Sequence, residues 1–208
     1  MRAYKAFNKN LTCTKGRGTF QYKPDTVFEE DRAKCANVGF HCTSNPLDTL
    51  KYYPDMDQSV YWIVDAEGDI NEDGVDSRIS CTKMELVKEL TIEEFVYESL
   101  LYMAKYPKRE YSVGEKTLGN EWIAIARGKN PMAAGPDGCV LGLAKEEEDG
   151  TIGAVAIYVA GQDIEANTYC DIDGKKVSVD EEEGVIGNEA DYTDESNDPE
   201  GESAAALI

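Results

Sequence analysis

The sequence predicts an α+β protein: a small N-terminal mixed sheet with two helices, then a β-rich module able to trimerise as a β-roll, then an acidic disordered tail. Three observations carry that expectation. "SVYWIVDAEG" (59–68) sends Val60, Trp62 and Val64 one way and Tyr61 and Ile63 the other, as a buried strand does. "TIEEFVYESLLYMAK" (91–105) repeats Ile92, Phe95, Val96, Leu100 and Met103 near helical period. From 120 to 144 the chain turns to Ala, Gly and small apolar residues.

The elements follow in order. "RAYKAF" (2–7) alternates as a first strand. "NKNLTCTKGRG" is turn-rich, and "TFQYKPDTVFEE" holds two short β segments around Pro24-Asp25. "CANVGFHCT" leads into "GFHCTSNPLDTLKYY" (39–53), a strand-to-helix joint. Ser44 or Asn45 can cap that first helix, Pro46 suits its first turn, and Asp48 favours its positive N-terminus. Leu47 and Leu50 face inward, and Pro54 stops the helix. "SRISCTKMEL" (77–86) pairs with the 59–68 strand, with "GDINEDGVD" as the hairpin connection. Thr91 and Glu94 form a capping box for the second helix, and Pro107 ends it.

A first domain therefore spans 1–106. The Ala/Gly-rich module runs from 107 to 180, its small residues suited to thin β layers stacked on each other or on sister chains. "GTIGAVAIYVAGQDI" and "NTYCDIDGKKVSVD" continue it as β segments. The tail, 181–208, has the composition of a solvated segment.

The net charge of −20 divides unevenly. Eleven acids and no bases lie between Asp180 and Ile208, which leaves 30 acids against 21 bases in residues 1–179. An acidic body repels nucleic acid, so direct DNA or RNA binding is not expected. An acidic decoy for a nucleic-acid-binding protein stays open. No apolar run reaches the roughly 18–20 residues of a membrane span, and the N-terminus carries no apolar signal segment. Six cysteines without a CxxC pair, beside a single histidine, read as buried reduced thiols and not as a zinc site. Neither a metal nor a cofactor is expected.

Three constellations carry chemistry. In the joint, His41 is the only histidine, and no nucleophile–His–acid set accompanies it. "DINEDGVDSRIS" (69–80) matches the first half of a calcium loop at Asp69, Asn71, Asp73 and Gly74, but the bidentate Glu of the twelfth position is Ser80. A polar hairpin connection explains the same residues. The aromatics Tyr4, Phe7, Phe20, Tyr22, Tyr52, Tyr53, Tyr61 and Trp62 either stack a flat ligand or form the domain core.

"AYKAF", "GFHCTSNPLDTLKYY" and "SVYWIVDAEGDI…DGVDSRISCTKMEL" together resemble an uncharacterised family of bacteriophage and prophage proteins, over about residues 2–100. The resemblance implies a phage-encoded protein working in the cytoplasm of a bacterial host. The Ala-Gly run also looks like the β-roll repeats of trimeric adhesin heads, which implies a homotrimer. The joint is distantly similar to the Ser-Thr-Ser segment of ADP-ribosyltransferases, which implies a strand that lines an NAD pocket. Phe40-His41-Cys42-Thr43-Ser44 would be that segment, with Cys42 standing where the first Ser belongs. Lys5 stands where a first-strand Arg or His belongs, and Glu85 is the nearest match to the catalytic Glu.

Three functions fit. The first is a non-enzymatic binding protein, a phage counter-defence factor that sequesters a nucleotide-like ligand or blocks a host defence protein. Tyr4, Lys5, His41, Thr43, Ser44 and Tyr53 are the expected ligand-binding residues, with no catalytic residue among them. The second is an NAD-dependent ADP-ribosyltransferase-like enzyme built on the same pocket. The third is a trimeric virion component.

Overall fold

The computed structural model describes residues 1–14, 18–72, 74 and 76–178. The acidic tail and the final residues of the Ala/Gly module lie outside the described residues. So do Asp73, within the calcium-like loop, and Gly16-Arg17 of the early turn.

β1 (Arg2–Asn8) is followed by three short strands, β2 (Thr12–Cys13), β3 (Phe20–Gln21) and β4 (Val27–Glu29). β5 (Phe40–Thr43) runs into a 3-10 helix, Pro46–Lys51. Two long strands follow, β6 (Ser59–Glu72) and β7 (Arg78–Leu90), then the helix α1 (Ile92–Lys105). The C-terminal part contains β8 (Lys116–Leu118), β9 (Ile123–Gly128), β10 (Met132–Ala134), β11 (Val140–Glu146) and β12 (Ile152–Val159).

The α+β expectation is corrected here: the protein is mostly β. α1 is the one α-helix among the described residues, and the joint after β5 makes only six residues of 3-10 helix. Asn45 caps that helix and Pro54 closes off its far end, so too few residues remain for α-helical hydrogen bonding to become cooperative. β6 and β7 are also longer than their apolar cores suggested. Their polar continuations pair as well, Ile70 with Cys81 and Glu72 with Ile79, so most of the expected hairpin connection is strand. The N-terminal sheet is antiparallel throughout and not mixed.

That sheet runs β4-β7-β5-β1-β6, and β6 pairs back onto β7. β1, β5, β7 and β6 therefore close into a small barrel. Alternation along each strand then sorts side chains into two cores. Ala3, Phe7, Phe40, Cys42, Trp62, Val64, Ile79, Cys81, Met84 and Leu86 pack in the interior, sealed by Tyr22 and Phe28. Tyr4, Ala6, Tyr61, Ile63 and Leu90 lie on the outer face, against Tyr53, Met56 and Phe95. Gly39 enters β5 with φ +92°, and a Cβ there would lie 2.6 Å from Ser80 Oγ, so the start of the FHCT strand requires glycine.

α1 joins this barrel to the second sheet. Thr91 and Glu94 form both halves of the capping box. Phe95 points to the barrel, its ring 4.7 Å from that of Tyr61. Val96, Leu100 and Met103 pack instead on Ile125, Val140 and Ala144. The sheet they meet is β12-β11-β9, with β9 and β11 parallel and β11 and β12 antiparallel. Its far face buries Ala124, Ala126, Ala133, Leu141, Leu143 and Ala160 in a third core. The small residues thus let helix and loops approach one sheet within a single chain. Residues 1–178 cluster as one compact unit, with the 106 boundary falling where α1 ends.

Candidate functional site

A cleft of about 1250 Å³ that carries charged side chains lies beside the 3-10 helix. Its first wall is built by the joint. Asn45 caps the helix by accepting from Leu47 N at 3.2 Å, and Thr49 Oγ1 donates to Pro46 O at 2.6 Å. Ser44 N donates to Ser77 O at 2.9 Å and Asn45 N to Ser77 Oγ at 3.1 Å, which ties the helix entrance to the start of β7. Asp48 pairs with Lys51 at 2.9 Å and accepts from Ser77 N at 3.3 Å. Asp76 accepts from Arg78 N at 2.7 Å and from the Tyr52 hydroxyl at 3.1 Å. Burial, followed by that bond to Asp76, pushes the Tyr52 phenol up to about 12.

The opposite wall is the segment that follows α1, residues 109–114, and Thr117, Ile123 and Ile125 form the floor. Arg109 lies over the rings of Tyr102 and Tyr106 at 5.6 and 5.3 Å. The Tyr111 hydroxyl donates to Tyr106 O at 3.0 Å, and Arg127 stacks on the Tyr111 ring at 4.6 Å while bonding Glu146 at 2.6 Å. These cation–aromatic contacts hold the wall without strand or helix structure. Asp48, Glu72, Asp76 and Glu110 line the cleft against Lys51 and Arg109, four carboxylates to two cations. Glu72 and Glu110 are exposed.

The residues expected to bind ligand do not share one pocket. Lys5 points into the barrel, 6% exposed, donating to His41 O and lying 5.4 and 5.3 Å from the Phe7 and Tyr22 rings. Tyr4 lies on the outer face and donates to Glu98 Oε2 at 2.6 Å, burial and that carboxylate driving its phenol far up. Tyr53 lies on the same side, its hydroxyl bonded to Cys13 Sγ at 3.4 Å and to Thr14 N at 3.3 Å, its phenol pushed up to about 12 by burial. Thr43 is buried and donates to Asn45 O at 2.8 Å. Ser44 meets the Tyr102 hydroxyl at 3.1 Å. His41 is half-buried. Burial first, then the charges of Lys5 and Arg78, hold its imidazole below the usual value, and its Nε2 is buried without a partner.

None of these six lines the cleft, which the joint reaches instead through Asn45, Leu47, Asp48, Leu50 and Lys51. Glu85 is exposed on β7, opposite Asp65 and Val27, five positions from the Ser80 that pairs with His41. Five strand residues span about 16 Å, so this carboxylate does not meet the FHCTS segment. The second wall escaped sequence reasoning. "YPKREYSVG" (106–114) has no periodicity, and only its mixture of charge and tyrosine marked it.

None of the six cysteines forms a disulfide. Among the described residues no three His, Cys, Asp or Glu side chains gather as a metal site, and no helix is long and apolar enough to cross a membrane.

No curated protein and no solved structure matches the chain. Over residues 1–98, which take in the barrel and the first half of α1, the chain is similar to a protein family described as a domain of unknown function (DUF7666).

Proposed function

We propose that this is a non-enzymatic binding protein that blocks a partner protein by taking one of its cationic segments into the cleft. In a phage-infected bacterium that partner is a host defence protein. The observation that carries the reading is the cleft lining. Four carboxylates face two cations, and both cations are engaged, Lys51 with Asp48 and Arg109 on tyrosine rings. The field inside is therefore negative, which attracts Lys- and Arg-bearing chains and repels phosphates. Size argues the same way. About 1250 Å³ exceeds the ~300–1000 Å³ of ordinary small-molecule sites and suits a length of polypeptide. Of the two expected modes, the charge favours blocking a protein over sequestering a nucleotide.

The test is a fluorescence-anisotropy titration with an oligo-arginine peptide, alongside ATP and NAD, followed by a pull-down from infected cells. The peptide binds with an affinity that falls as salt rises, and the nucleotides do not bind. The double variant Glu72→Lys, Glu110→Lys weakens peptide binding at least tenfold and releases the captured partner. Nucleotide binding, or peptide binding indifferent to the double variant, would overturn the proposal.

A further inference from the structure

The interior of the barrel holds an arrangement with no part in the cleft. Phe40 is opposite Cys81 and Cys42 is opposite Ile79, so Cys42 and Cys81 are diagonal neighbours on the inner face of β5 and β7. Both side chains belong to the same interior core, and Cys81 Sγ donates to Phe40 O at 3.4 Å. Both residues are buried, 4% and 0% exposed. Lys5 projects into the same space and its charge acts on both thiols. Among the described residues no carboxylate forms an ion pair with Lys5. A buried ammonium without a counter-ion is costly, and a metal centre that took the protons of both thiols would supply an anion beside it.

We propose that Cys42 and Cys81 form a two-coordinate site for a soft monovalent cation, Cu(I) or Ag(I), with Lys5 as its counter-ion. Thiolate sulfur selects such cations, and two ligands suffice for them where Zn²⁺ requires four. The step balances without redox chemistry. One M⁺ enters, both S–H bonds break, two M–S bonds form and two protons leave to solvent. The bis-thiolate centre carries one negative charge, which Lys5 neutralises. His41 cannot serve as a third ligand, since it alternates to the other face of β5 from Cys42. The centre would staple β5 to β7 from within.

The test is addition of one equivalent of Ag(I) to the full chain, read three ways. X-ray absorption shows two sulfur ligands per silver. Pulsed alkylation during unfolding, mapped by peptide mass, finds Cys42 and Cys81 at least tenfold protected by the metal and the other four cysteines unchanged. The thermal midpoint of the wild type and of Cys139→Ser rises with Ag(I), and that of Cys42→Ser and of Cys81→Ser does not. Lys5→Met keeps both thiols and binds Ag(I) at least tenfold more weakly. Silver found on other cysteines, or Cys42 and Cys81 alkylated as fast with metal as without, overturns the site. The alkylation and absorption readouts need no variant, so a serine variant that fails to fold does not rescue the proposal. An unchanged affinity in Lys5→Met overturns the role of the lysine.

Discussion

His41 shows how a single residue in this chain is governed by its surroundings and not by its chemistry. Burial and the positive charges of Lys5 and Arg78 disfavour the imidazolium, while bonds with the backbone of Gly39 and Lys34 offset this in part. The folded state therefore binds the proton less readily than the unfolded state, whose histidine titrates near 6.5. Stability is complete above that pH and declines as pH falls from the unfolded value toward the lower folded one. Urea midpoints measured between pH 8 and 5 will fall on acidification, and the His41→Gln variant will show a shallower decline over the same window. An identical slope in the variant would assign the loss to carboxylates instead. The other expected site residues are likewise bound into structure: Thr43 in the loop turn, Tyr4 on Glu98, Tyr53 at Cys13.

At the scale of elements, α1 is the joint of the molecule. Its two apolar faces diverge, Phe95 toward the barrel and Val96, Leu100 and Met103 toward the second sheet. The close approach depends on Gly142 of β11, where a Cβ would lie 2.6 Å from Val96 Cγ1. Gly142→Ala will cost about 1–3 kcal/mol by overpacking in a urea melt. Much of that loss will vanish in a Val96→Ala background, because the two side chains contend for one space. Additive losses in the double-mutant cycle would show that the glycine serves some other purpose. Other small residues of the Ala/Gly module, Ala124, Ala126 and Ala133, also pack within the chain.

For the whole molecule, the sharing of α1 predicts that barrel and second sheet unfold together. Residues 1–178 expressed alone will keep the circular-dichroism spectrum of their β structure and melt in one calorimetric transition. Two transitions, one lost on truncation at 106, would mark the sheets as independent domains. The charge of the body works at this scale too. The cleft concentrates acidity that residues 1–179 carry in excess, so association with a basic partner will be fast at low salt and slow as salt rises.

Much of the architecture was legible along the chain. The alternation in 59–68, the capping box at Thr91 and Glu94, and the cap and stop of 45–54 are local patterns with periods of their own, and the structure contains each of them. Those patterns report which face of an element is apolar. They do not report what covers it. Whether β6 and β7 stop with their apolar cores was decided by their pairing with each other along the whole hairpin. The same holds for the sites. Alternation put Lys5 and Tyr4 on opposite faces of β1, and strand closure alone brought Cys42 to Cys81 and Asp48 to Ser77. The sequence by itself determined the elements and their apolar faces, because those depend on neighbours within a few residues. Closure of the barrel, the placing of α1 and the lining of the cleft were decided only by the tertiary structure, because each joins residues tens of positions apart.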